Sequence, residues 1–164
     1  MDKCSKLPDI IRFDDYDGQW ELYEEELYKV FKNAFIESEK KFIGKSIGIF
    51  TNKMYNDKEK TFWHVISEGP NEFERIPDIR RCERICWIDK MISTSICHGC
   101  DEIYMWKHKH KNKKYRYKLW CRKTDFIVIL EERGDKFMLI TAYIVKYNHT
   151  KIKLEKEYDK STKI

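Results

Sequence analysis

Phe126-Ile127-Val128-Ile129-Leu130-Glu131-Glu132-Arg133-Gly134-Asp135-Lys136-Phe137-Met138-Leu139-Ile140-Thr141-Ala142-Tyr143 reads as two strands around a tight turn. Both apolar runs are rich in β-branched and aromatic residues and have strand length, and Arg133-Gly134-Asp135 is turn chemistry. So short a connection makes the strands antiparallel neighbours. Working upstream, Tyr115–Cys121 and Glu102–His108 repeat the pattern, with turns at Lys111-Asn112-Lys113 and Lys123-Thr124-Asp125. The last third is therefore expected to be an antiparallel meander of Glu102–His108, Tyr115–Cys121, Phe126–Glu131 and Phe137–Val145.

Near the start the period changes. Trp20, Tyr23, Leu27, Val30, Phe31, Ala34 and Phe35 recur at spacings of three and four, the mark of an amphipathic helix, and Asp17 is placed to cap it. Ser46–Phe50 and Thr61–Ile66 carry strand signals. Gly69-Pro70 breaks the second, and Arg80–Ile92 has helical spacing. The expected fold class is α+β: an N-terminal helix or helices followed by an antiparallel β-sheet meander. Residues 1–16 read as an irregular lead-in, 17–150 as a single α+β domain, and 151–164 as a charged tail that forms either a frayed helix or nothing fixed.

A chain of 164 residues can bury a core without staples, and its 15% aromatic content supplies bulk. No signal peptide is evident, and no apolar run approaches the roughly 20 residues of a membrane span. The expectation is a soluble cytoplasmic protein with no membrane partner. In a reducing compartment its six cysteines are thiols or metal ligands.

Charge is uneven. Asp14–Tyr28 holds seven acidic residues and no Lys or Arg, whereas Ile103–Thr124 holds nine Lys or Arg and no acid. In the basic block, Tyr104, Trp106, Tyr115, Tyr117 and Trp120 interleave with cations. Cations follow a phosphate backbone and aromatic faces stack bases, so Lys107, Lys113, Lys114, Arg116, Lys118 and Trp120 are candidate RNA-binding residues. A solvated hairpin with lysines that discourage edge pairing explains the same pattern.

His64 interrupts an apolar run and is the side chain suited to moving protons near neutral pH, with Glu68 four residues on as a possible orienting partner. A core histidine bonded to a carbonyl is the plain alternative. Arg80, Arg81 and Arg84 gather guanidinium groups that match phosphate oxygens, and on a helix they would share a face. A surface salt-bridge network, with Glu83 holding an arginine, is the competing reading. Thr141 and Tyr143 end the last strand with hydroxyls suited to phosphate or base, or are ordinary strand composition. Cys97-His98-Gly99-Cys100, with Cys82 and Cys86 upstream, has a zinc-ligand spacing but no clean second pair. No P-loop, dinucleotide fingerprint or EF-hand occurs, so no cofactor is expected.

The order of Phe62–Gly69, Pro77–Ile85, Asp125–Arg133 and Leu139–Tyr143 resembles a family of phage- and mobile-element-type proteins. That family resembles in turn the barnase–colicin–RelE superfamily of metal-independent ribonucleases and toxins. The resemblance spans about Trp20 to Tyr143; Arg-Arg-Cys-Glu-Arg-Ile and Thr-Ala-Tyr are its most specific blocks. Cys86 and Ser93–Cys100 depart from it. It implies a site on the sheet face that draws together His64, Arg80, Arg81, Arg84, Thr141 and Tyr143. The expected activity is RNA cleavage by 2′-hydroxyl transesterification. RNA is the expected partner, with an antitoxin or immunity protein as a second candidate. A non-catalytic nucleic-acid- or antitoxin-binding module and a zinc-stabilised interaction domain are the alternatives.

Overall fold

In a computed structural model, which describes residues 4, 6–93, 102–111 and 113–164, the predicted helix is α1, Trp20–Phe35. Tyr23, Leu27, Phe31, Ala34 and Phe35 face the core. Asp17 does not cap α1. It adopts left-handed geometry (φ 51°) with Gly18 beside it (φ 73°), turning a single 3-10 turn, Phe13–Tyr16, into the helix, and Gln19 takes the cap position.

The chain then forms β1, Lys41–Phe42, and β2, Lys45–Gly48, joined by a two-residue turn with positive φ at both Ile43 and Gly44. Thr61–Ile66 is not a strand but most of helix α2, Lys60–Ile66. The reason is burial on nearly all sides. Phe62 packs against Tyr28 and Phe31 of α1, and Trp63 against Tyr55, so the apolar run has no period to betray a helix.

Behind α2 comes a small hairpin, β3 (Ser67–Glu68) and β4 (Ile76–Pro77). The Arg80–Ile92 segment is helical as read, but it divides at Arg84 into α3, Ile79–Glu83, and α4, Ile85–Ser93. Asp78 caps α3, its carboxylate accepting the Arg80 N–H at 3.0 Å.

The meander is as expected: β5 Ile103–Lys109, β6 Tyr115–Cys121, β7 Phe126–Arg133 and β8 Lys136–Ile144, each antiparallel to the next. The main sheet runs β1-β2-β8-β7-β6-β5 and ends on β9, Thr162–Lys163. One pairing breaks the antiparallel expectation: β2 lies parallel to β8, Ser46 opposite Lys136 and Gly48 opposite Met138. Separation in sequence permits it: helices and the three strands β5–β7 lie between β2 and β8, so no tight turn forces the two to run antiparallel.

Strand alternation gives the sheet two apolar faces. Phe126, Val128, Leu130, Leu119 and Leu139 join the helical core, while Ile127, Ile129, Trp106 and Trp120 face away from it. The charged tail covers that second face as helix α5, Asn148–Lys160, with Leu154 and Tyr158 against the tryptophans. Tyr104 stacks on Tyr158 at 4.3 Å, and Trp106 Nε1 donates to Glu157 at 2.9 Å. Truncating Leu154 to Ala removes the one fully enclosed anchor of α5. It is expected to cost about 2–4 kcal/mol in chemical unfolding and to red-shift tryptophan emission. Unchanged stability and emission would mean that α5 does not cover this face. Among the described residues no helix is long and apolar enough to cross a membrane.

Candidate functional site

Strand β2 accompanies β8 only as far as Met138; from there α2 and α3 lie against β8. A β-bulge between Ile129 and Leu130 of β7 shifts the register just where Thr141 sits on β8. Here the C-terminus of α2, the β3–β4 hairpin, α3 and β8 enclose an open cleft of about 690 Å³. His64, Arg75, Arg81, Ile140, Thr141 and Tyr143 line it with the hairpin.

The last carbonyls of a helix are partly negative and lack helical partners. At α2 they are met by two arginines and a threonine. The His64 carbonyl accepts from Thr141 Oγ1 at 3.1 Å, Arg81 Nη1 at 3.2 Å and Arg75 Nη2 at 3.4 Å. The Ser67 carbonyl accepts from Arg81 Nη1 at 2.8 Å and also from Arg75, whose Nε reaches Ser67 Oγ at 3.0 Å. Thr141 Oγ1 also accepts from Arg81 Nη1 at 3.4 Å. Arg81 further lies 3.6 Å from Asp78 and 3.9 Å from Glu68, with its guanidinium 5.3 Å over the Tyr143 ring. Arg81 is thus a fixed positive charge in the wall of the cleft rather than a free fork. Burial depresses its pKa and the two carboxylates oppose the shift, but a guanidinium stays protonated at any working pH.

His64 is half-buried. Its Nε2 lies 2.9 and 3.1 Å from the two oxygens of Glu72. The partner is Glu72, not Glu68 as the four-residue spacing implies. Helix α2 ends at Ile66, Glu68 leaves on β3, and the hairpin brings Glu72 back over the ring. Glu68 instead lies 3.9 Å from Arg81 and 3.8 Å from Lys146. Burial sets the His64 pKa below its ordinary 6.5; the Glu72 hydrogen bond pulls it up, and Arg75 and Lys60 push it down. The imidazole is then neutral at pH 7. With Nε2–H donating to Glu72, Nδ1 carries the free lone pair.

The sign of each influence makes a test. Glu72→Gln removes an upward influence, so the His64 titration moves to lower pH. Arg75→Met removes a downward one, so it moves to higher pH. Proton NMR of the His64 ring reads both without any assay of activity; shifts in the same direction would contradict the arrangement. Because the folded pKa lies below the unfolded one, His64 contributes stability above pH 6.5 that is lost as pH falls towards the folded value.

Of the arginine cluster, only Arg81 enters the cleft. Arg80 is exposed and does not line it. Arg84 is buried at the break between α3 and α4, where it donates to the Arg80 carbonyl at 3.1 Å and lies 5.2 Å over Trp87. The expected common face is therefore split, because the helix breaks at Arg84. Arg75, outside the predicted site set, fills the gap. Glu72 could not be read from sequence, since its placement depends on the hairpin. That hairpin needs a glycine: a Cβ on Gly69 would stand 2.3 Å from the Glu74 carbonyl oxygen.

The basic meander is less open than its composition implies. Trp120 is 0% exposed beneath α5 and offers no stacking face. Arg116 pairs with buried Glu131 at 3.0 Å, Lys118 with Glu157 at 2.7 Å, and Lys107 lies 3.9 Å from Glu132 and 4.2 Å over Tyr115. The block lacks acids of its own because β7 and α5 supply them. Lys113 and Lys114 stay exposed. Cys97 and Cys100 of the zinc spacing lie outside the described residues. Cys82 is buried, its thiol pushed up to about 12 by desolvation, and Cys86 Sγ donates to the Asp9 carbonyl at 3.4 Å. No group of three or more His, Cys, Asp or Glu among the described residues is placed to hold a metal ion. Comparison of the chain with protein-family models, with curated proteins and with solved structures finds no match.

Proposed function

We propose that this protein is an endoribonuclease that cleaves RNA by internal transesterification without a metal. The observation that carries the reading is the convergence, in one cleft, of a histidine tethered through Nε2 with Arg75, Arg81, Thr141 and Tyr143. The resemblance to the barnase–colicin–RelE superfamily points the same way.

In this reading Nδ1 of His64 takes the proton of a ribose 2′-hydroxyl, and the 2′-oxygen attacks the adjacent phosphorus. The P–O2′ bond forms, the P–O5′ bond breaks, and a 2′,3′-cyclic phosphate remains. Tyr143, kept protonated by burial and a raised pKa, is the candidate donor to the leaving 5′-oxygen. Arg75 and Arg81 supply fixed positive charge where the phosphorane gains negative charge. Glu72 holds the imidazole and stabilises its cation. Exposed Lys113 and Lys114 would engage the strand farther away, with the salt sensitivity of counterion release.

A specific observation favours a second reading, a module that binds RNA or an antitoxin without cutting: Arg81 already spends Nη1 on the carbonyls of His64 in α2 and Ser67 at the start of β3. Incubation with structureless RNA in EDTA separates the two. The first expects cleavage that is lost in His64→Ala; the second expects intact RNA with either protein.

A further inference from the structure

The β3–β4 hairpin carries two exposed apolar side chains, Phe73 at 88% and Ile76 at 69% exposure. A lone exposed apolar residue needs no explanation. Ile76 lines the cleft, and Phe73 stands outside that lining but directly follows the glutamate that holds His64.

The hairpin is fastened at several points. Phe73 N–H donates to Asn71 Oδ1 at 2.9 Å, and Glu74 N–H to the Asn71 carbonyl at 3.2 Å. Glu72 is bound to His64, Arg75 to Ser67, and Gly69 packs against the Glu74 backbone. The Phe73 ring is thus held out on an ordered tip, so little ordering cost attends its use.

The size of the patch selects its occupant. Stable protein interfaces bury about 1,200–2,000 Å², with a hot spot ringed by further contacts. Two apolar side chains between Glu72, Glu74 and Arg75 fall far short of that, but one ring matches the face of one nucleobase. The cleft offers a phosphate the two cations Arg75 and Arg81, while Glu68 and Glu74 on the hairpin side of the same cleft keep a backbone away from the hairpin. A strand with its phosphate at the arginines can turn one base outwards onto the hairpin.

We propose that Phe73 is a stacking platform for an unpaired base next to the scissile phosphate, with Ile76 flanking it, and that it sets preference at that position. This rests on the ribonuclease reading. Losing an aromatic–base stack weakens binding by about 5- to 150-fold. Phe73→Ala should therefore raise KM on a short single-stranded RNA on the order of 10-fold with little change in kcat, and Phe73→Trp should restore it. An RNA abasic at that position should be indifferent to Phe73→Ala. An uncleavable 2′-O-methyl strand carrying 2-aminopurine there should be quenched by the wild-type protein and by His64→Ala, but not by Phe73→Ala.

If the protein cuts RNA but Phe73→Ala leaves KM and quenching unchanged, the platform is wrong and the nuclease stands. If quenching depends on Phe73 while no RNA is cut, the platform stands and the nuclease falls. If neither is seen, both fall and the tip serves a protein partner. Phe73 is almost wholly solvent-exposed, so its replacement leaves folding intact.

Discussion

On the proposed ribonuclease reading, His64→Ala is expected to lower RNA cleavage on the order of 100-fold or more, with KM nearly unchanged and the unfolding transition close to wild type. The His64 ring bonds Glu72 and otherwise faces the cleft, whereas the contacts that secure α2 run through its backbone carbonyl, which alanine retains. A proton-transfer group is lost without the helix end that carries it. Glu72→Gln should be milder, since glutamine still accepts the Nε2–H but cannot stabilise the imidazolium. Single-turnover cleavage beside urea unfolding makes the measurement. Equal rates for His64→Ala and wild type would remove His64 from the mechanism, and a loss of rate matched by a loss of folded protein would make its role structural.

Arg81→Met is expected to cost about 1–3 kcal/mol, or roughly 6 °C in thermal midpoint for a chain of this size. Methionine keeps the aliphatic stem but removes one donor from each of the His64 and Ser67 carbonyls, which keep Arg75, and one of the two cations beside Asp78, which keeps Lys146 at 3.5 Å. Arg81→Lys restores a charge but not the two-carbonyl geometry, so most of the loss persists. Arg80→Met, one residue away and exposed, should stay within about 0.5 kcal/mol. Urea titration of the three variants checks the contrast. Equal effects at positions 80 and 81 would contradict the placement of Arg81 at the helix end.

The meander was legible because its turns are short and its strands alternate; Phe126–Tyr143 carried both signals. Helix α2 was not. Phe62, Trp63, Val65 and Ile66 are buried in every direction, so the run has strand composition and no helical period. A helix in the tail was one of two open readings, but its packing on the sheet was hidden for the opposite reason: Leu154 alone is buried in a charged segment, and the amphipathic signal is faint. His64, Arg81, Thr141 and Tyr143 were identifiable by chemistry and do share a cleft. Arg80 and Arg84 were not separable from Arg81, because the break between α3 and α4 has no signature in Arg-Arg-Cys-Glu-Arg-Ile. The stacking assigned to Trp120 failed for a reason distant in sequence: α5, more than twenty residues downstream, closes over it. Glu72 and Arg75 reach the site only through a hairpin closed by Gly69, a contact that no local pattern encodes.

In the proposed mechanism the cleft uses a ribose 2′-hydroxyl as its nucleophile. This is tested most directly with a single-stranded DNA containing one ribonucleotide, incubated with the protein in EDTA, with the product ends read by mass spectrometry. The account predicts cleavage only on the 3′ side of the ribose, leaving a 2′,3′-cyclic phosphate and a free 5′-hydroxyl, and loss of that product in His64→Ala. Cleavage at deoxyribose positions, 5′-phosphate ends, or activity seen only on adding a divalent cation would contradict it.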